Sequence, residues 1–272
     1  MAPVMKTPGV YIVEQKAFPN SVVEVATAVP AFIGYTERAD NRGKSLTGQP
    51  WRIASLAEYH QYFGGAPAER FELKDDAAPA DAIFNQGGKS FRLVHDGVRH
   101  LLYYGMQHFF QNGGSTCFVV SVGAYGNGIA AGALKDAITA LEAEQEPTML
   151  VIPECMQLGD AAACNDVQQE MLKHCGLTMR NRVAILDIYG GSKPRQENQC
   201  IENFRKDLGV NYLDFAVAYY PWVHSSVVQE RDVSYENISN ADILGKVLKA
   251  DAGLPEQADD KTGEKTKSLS VN

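Results

Sequence analysis

The residues Gly126-Asn127-Gly128-Ile129-Ala130-Ala131-Gly132 come nearest to the chemistry of a cofactor. They follow an apolar, strand-like run and open a helix-like one. In that setting a G-x-G pair lets the backbone approach a pyrophosphate, which then sits on the helix N-terminus. Glu154, just past the next apolar run, would be placed to meet a ribose hydroxyl. Against this, the turn begins only at residue 126, its spacing to Glu154 is long, and a strand-to-helix turn needs small residues for packing alone.

Other reactive side chains are scattered. Gly87-Gly88-Lys89-Ser90 resembles the end of a phosphate-binding loop, but Ile83 stands where its first glycine belongs. His60, His95, His100, His108, His174 and His224 contain no pair three or four apart, the spacing a helical metal face requires. Glu154 and Asp187 fall at strand ends, where α/β enzymes keep acids and where helix caps also occur. Cys117, Cys155, Cys164, Cys175 and Cys200 are odd in number and form no C-x-x-C pair, which points to buried thiols in a protein made in a reducing compartment. No G-x-S-x-G or H-E-x-x-H motif occurs. Tyr219-Tyr220-Pro221-Trp222 reads as a core or interface anchor before it reads as a ligand cage.

The elements that must position these residues alternate. Apolar runs at 116–122, 149–152, 182–188 and 212–220 read as strands. Between and before them, helical spacing covers 94–112, 129–144, 160–176 and 195–208. This order predicts an α/β fold with a mainly parallel central sheet flanked by helices. A short helix is expected over 53–63, with Ser55 as N-cap, Glu58 at the capping-box position and Gly64-Gly65 as the stop. Residues 66–90 read as an irregular, exposed insertion, and a last helix is possible over 240–250. In the apolar stretch 21–35, Pro30 predicts an edge strand or a broken one. The organisation expected is 1–37 as arm and entry strands, 38–93 as a loop-rich insertion, 94–250 as the α/β core and 251–272 as a polar, flexible tail.

The chain has 272 residues and a formal net charge of −8, an acidic balance that argues against nucleic acid as the main partner. Met1–Lys6 has no signal-peptide pattern, and the apolar runs are too short to span a bilayer. The first segment is distinctive. Pro8-Gly9 opens a turn, and Val10, Tyr11, Ile12 and Val13 are β-formers running to Glu14. An extended apolar strand at a chain end needs a foreign sheet edge, and a neighbouring subunit can supply one by strand addition.

Thr7–Glu14 (TPGVYIVE), FPNSVVEVATAVPAFIGYTERA at 18–39 and FFQNGGSTCFVV at 109–120, followed in order by LVIPE, AILD and YYPW, resemble the tail sheath family of contractile phage tails and phage-derived injection systems. The resemblance implies a structural subunit that stacks in rings or a helix around an inner tube. Its terminal arms would complete neighbours' sheets, with Pro8, Gly9, Val10, Tyr11, Ile12, Val13 and Glu14 as the inter-subunit strand. It implies copies of itself, the tube protein, sheath paralogues, and baseplate and cap proteins as partners. It implies no cofactor, no catalytic residue, no nucleic acid and no membrane insertion, with assembly in the cytoplasm into a phage tail or extracellular particle. Val223–Asn240 departs from the family's usual Pro-Ser-Gly continuation, and the chain stops soon after, which keeps a non-contracting cap or adaptor in view. From a different class, a nucleotide-dependent enzyme built on Gly126–Gly132 also remains open.

Overall fold

The computed structural model describes residues 27–75, 84–86, 89–126, 128–195 and 199–251. The arm Pro8–Glu14 and the tail 252–272 lie outside these residues. The strands are β1 (Pro30–Thr36), β2 (Asp40–Asn41), β3 (Lys44–Ser45), β4 (Trp51–Ile53), β5 (Phe71–Lys74), β6 (Phe84–Gln86), β7 (Lys89–His95), β8 (Cys117–Ala124), β9 (Met149–Val151), β10 (Val183–Asp187) and β11 (Ala216–Tyr219). The helices are α1 (Leu56–Phe63), α2 (Leu102–Gln111), α3 (Ala131–Ala140), α4 (Ala161–Lys173), α5 (Cys200–Asp207) and α6 (Ala241–Asp251).

The central sheet has the order β11-β10-β9-β1-β8-β4. Its first five strands pair in parallel, and β4 runs antiparallel to β8 at one edge. The expected α/β class with helices on a mainly parallel sheet is what the chain adopts. From β1 the chain passes to β8 on one side, then crosses to β9, β10 and β11 on the other. The strand order therefore reverses between β1 and β9, a topological switch point.

Every residue of β1 is buried. Its side chains divide by the two-residue period of a strand. Phe32 packs with Val119 of β8, Tyr59 and Phe63 of α1, and Leu102 and Met106 of α2. Ala31 and Ile33 belong to the larger opposite core, with Phe118 and Val120 of β8, Leu134 and Ile138 of α3, Val167 and Met171 of α4, and Leu150, Ala184 and Leu186 of the neighbouring strands.

Pro30 neither breaks this strand nor moves it to an edge, as its sequence position predicts. It is the first residue of β1, where proline's missing N–H costs no interior ladder bond, and β1 lies between β8 and β9. The expected helix over 94–112 begins at Leu102 instead. Lys89–His95 forms β7, which pairs with β5 and β6 in a three-stranded antiparallel sheet. The stretch read as irregular and the residues just after it thus carry Leu73 and Phe91 into burial. Local spacing missed β7 because its partner β5 is the strand that stabilises it.

Capping follows the sequence. The Ser55 hydroxyl accepts the Glu58 N–H at 3.2 Å, and the Glu58 carboxylate accepts the Ala54 N–H at 2.7 Å. Arg182 does a comparable task without a sequence signal. Its buried guanidinium donates to the carbonyls of Leu141, at 3.3 Å, and Glu144, just past the end of α3. It also faces Nε2 of His174 at 3.3 Å. A guanidinium only donates, so that nitrogen accepts and the ring is neutral. Burial, then the Arg182 charge, pushes His174 down to about 4 from 6.5. Because the folded value is depressed, the stability this imidazole contributes is present above pH 6.5 and is lost as pH falls through about 4. Arg182→Met is expected to cost about 2 kcal/mol, since it removes the guanidinium's bonds to the Glu144 and Leu141 carbonyls at a helix end, and urea unfolding measures the loss.

Candidate functional site

The switch-point crevice, where open α/β sheets bind ligands, is the first place to look for a site. Here it is filled by the protein's own carboxyl. β9 leads into a short 3-10 turn at Pro153–Gln157, which turns Glu154 inward until it is 0% exposed. Its Oε1 accepts the N–H of Leu102, the first residue of α2, at 3.0 Å, and the N–H of Tyr35 in β1 at 3.4 Å. Its Oε2 has no hydrogen-bond partner. Gly34 makes room for it, because a Cβ there would stand 2.4 Å from Oε2 and 2.6 Å from the carboxyl carbon. Burial pushes Glu154 up to about 7 from 4.5, while N–H groups including that of Leu102 pull the other way.

Aromatic rings close the crevice. His100, 2% exposed, lies between Tyr35 and Tyr125 at centroid distances of 5.2 and 5.0 Å. Neither of its ring nitrogens has a partner, and burial lowers its pKa. The Tyr35 hydroxyl accepts the Ala130 N–H at 3.0 Å, occupying a donor at the start of α3.

This geometry reassigns the sequence candidates. Glu154 is enclosed and does not reach a ribose. Gly126 has φ +89°, Asn127 is outside the described residues, and a Cβ at Gly126, Gly128 or Gly132 would meet nothing within 4 Å. Packing therefore does not explain those glycines, whereas the positive φ explains Gly126 alone. Of the apparent phosphate loop, Gly87 and Gly88 lie outside the described residues, and Lys89 and Ser90 begin a strand instead of a helix. Lys89 pairs with Asp75, and the Ser90 hydroxyl bonds Asn85 at 2.7 Å.

His95 belongs to β7, not to a helix shared with His100 and His108, and its Nε2 lies 2.6 Å from Glu69 Oε2. The Tyr104 hydroxyl donates to the other Glu69 oxygen at 2.8 Å. Among the described residues no group of His, Cys, Asp or Glu is arranged to hold a metal, and no helix is long and apolar enough to cross a membrane. All five cysteines are buried thiols outside any disulfide, and burial pushes Cys117, Cys164 and Cys175 up to about 12.

Sequence reading picked out Glu154 but missed Gly34 and His100. A lone glycine inside an apolar strand was the available signal, because it marks a close approach to backbone.

The second feature of the molecule is an uncovered edge. β11 pairs only with β10 among the described residues. Val217 is 37% exposed and Tyr219 57% exposed, and Leu213 and Val223 beside them are exposed too. Strands of a parallel sheet are ordinarily covered on both faces. The opposite edge, β4, is three residues long and carries Arg52 in an ion pair with Glu146, a protected arrangement.

The sequence matches no protein-family model and no curated protein. Among solved structures, the chain is similar to a component of the anti-feeding prophage baseplate in its contracted state, with 21% identity and TM-score 0.51. That match covers 84% of this chain and 50% of the other. It is also similar to a component of the helical sheath of the same particle in its contracted state, with 20% identity, TM-score 0.42, and coverage of 80% and 46%. The chain thus spans about half the length of the chains it matches. At this identity the first likeness speaks to the fold alone.

The buried carboxyl makes a pH prediction. Its folded value is raised, so its stabilisation is complete below pH 4.5 and is lost as pH rises through about 7. The full span amounts to about 3 kcal/mol. Glu154→Gln is expected to flatten this fall, as melting temperature against pH will show. Gly34→Ala, which sets a methyl against a hydrogen-bonded buried carboxyl, is expected to cost about 2 kcal/mol in urea unfolding.

Proposed function

We propose that this chain is a structural subunit of a contractile, phage tail-like injection system, a sheath subunit that polymerises by strand exchange around an inner tube. The observation that carries this reading is the open edge of β11, long enough to pair and apolar on its exposed side chains. Such an edge in a free monomer invites a further strand. The segment Pro8–Glu14 has the composition of that strand, and we assign it as the inter-subunit arm. Copies of the chain, the tube protein, sheath paralogues, and baseplate and cap proteins are the partners of this role. It involves no cofactor and no catalytic residue. Assembly takes place in the cytoplasm, into a phage tail or an extracellular particle.

Two further observations support the reading. The switch-point crevice that a nucleotide-dependent enzyme would use is occupied by Glu154. The fold is also that of a component of the anti-feeding prophage baseplate. The latter favours one second reading, a baseplate-associated or capping component that adopts the sheath scaffold without contracting. In either role the chain works by mechanical coupling, with free energy stored in subunit contacts at assembly and released when the lattice rearranges.

Negative-stain electron microscopy separates these roles. The full chain is expected to form tubes or stacked rings, and the chain lacking residues 1–16 is expected not to. Val217→Lys, which puts a charge on the open edge, is expected to abolish the tubes as well while leaving the monomer folded. A full chain that stays monodisperse and monomeric at every concentration would sink assembly by this arm. Closed rings that never lengthen would favour the baseplate or cap role.

A further inference from the structure

Past the plugged switch point, the same end of the sheet holds a cavity of about 320 Å³ bounded by Leu101, Pro153, Met156, Asp187 and Trp222 among others. A smaller one of about 60 Å³ adjoins it and shares Pro153, Met156 and Asp187, with Gln168 in its wall. The walls are mostly apolar, and the polar side-chain atoms left for a ligand are the acceptor oxygens of Gln168 and Asp187. Gln168 is 1% exposed. Its Nε2 donates to the Asp187 backbone carbonyl at 2.8 Å, which fixes the amide's orientation because a carbonyl only accepts. The Gln168 Oε1 is thereby turned away from that bond, and it has no partner. The Asp187 carboxylate, at the end of β10, makes no ion pair or hydrogen bond with any described residue. Apolar neighbours crowd it enough to raise its pKa even though it reaches solvent. Among the described residues no lysine or arginine lines either cavity.

One wall is rigid. The Trp222 indole donates its N–H to the Ile188 carbonyl at 3.0 Å, and its backbone N–H bonds Gly191 at 3.2 Å. Gly191 lets the ring lie close, since a Cβ there would stand 2.8 Å from the indole nitrogen.

We propose that this crevice receives an arginine side chain presented by a partner protein, its guanidinium meeting the Asp187 carboxylate and the Gln168 carbonyl oxygen and its stem lying against Met156 and Trp222. A guanidinium offers five donors and no acceptor, which complements two acceptor groups that lack donors. It is more weakly hydrated than an ammonium and stacks on indole faces, so it enters an apolar-walled site at lower cost. A neutral apolar group would leave the buried Gln168 oxygen unsatisfied and would strip water from the Asp187 carboxylate without pairing it. The rim, apolar with one charge, is that of a protein–protein anchor pocket.

Trp222 reports on the site once Trp51, the other tryptophan, is replaced by phenylalanine. Full-length Trp51→Phe protein is titrated with Nα-acetyl-arginine amide and, in parallel, with the citrulline amide, which has the same shape and no charge. A saturable change in Trp222 fluorescence with the arginine probe is expected, and none with the citrulline probe. Adding Asp187→Asn, an isosteric change at an exposed side chain, is expected to weaken the arginine response by roughly tenfold or more. Equal responses to the two probes, or an Asp187→Asn protein of unchanged melting temperature that still binds arginine as tightly, would overturn the proposal. The citrulline comparison needs no destabilising variant. Trp222 fluorescence reads the binding whether or not the chain polymerises, so its failure is separate from any failure to assemble.

Discussion

The Glu154 carboxyl is the constraint on which the rest of the sheet's C-terminal end depends. One oxygen gathers the first N–H of α2 and an N–H of β1, and the residue itself sits in the turn that follows β9. Three elements distant in sequence therefore meet on one atom. Water is excluded from it, so the carboxyl must be neutral or be charged at considerable cost. Gly34 in β1 has no side chain because that carboxyl stands in the way. His100, Tyr35 and Tyr125 then close over the place where a doubly wound sheet ordinarily opens to a ligand.

Closing that crevice shifts the exposed chemistry outward along the sheet. β1 and β8 are buried on both faces, whereas β11 has side chains in solvent and, among the described residues, a strand partner on one side alone. A single charge at the centre of such a strand would blunt it, as the Arg52–Glu146 pair does at β4, but Ala216–Tyr219 carries none. Bare apolar edges are costly in a free monomer because they invite aggregation. Retaining one is intelligible where a further strand covers it, which is the role proposed for the arm.

Much of this was legible in the residues. The alternation of apolar runs with helical spacing led to a mainly parallel sheet, and Ser55 with Glu58 marked the start of α1 to the residue. These are local signals, read from neighbours three or four positions away. What failed was long-range. Pro30 opens the central strand because β8 and β9 arrive on either side of it. Lys89–His95 becomes a strand because β5 and β6 pair with it. The site was half legible. Glu154 stood out at a strand end, but whether such an acid faces solvent or the interior depends on the turn that follows.

Composition and periodicity alone determined the class of the fold and the cap of α1, because each follows from backbone sterics and side-chain pattern within a few positions. Strand order is set by which crossovers bury both faces at once, and that is a property of the whole chain. Only tertiary structure decided that the carboxyl of Glu154 would fill the switch point, that Arg182 would cap α3 from 41 residues away, and that β11 would stand at the edge of the sheet. Each depends on groups brought together by packing, which local spacing does not encode.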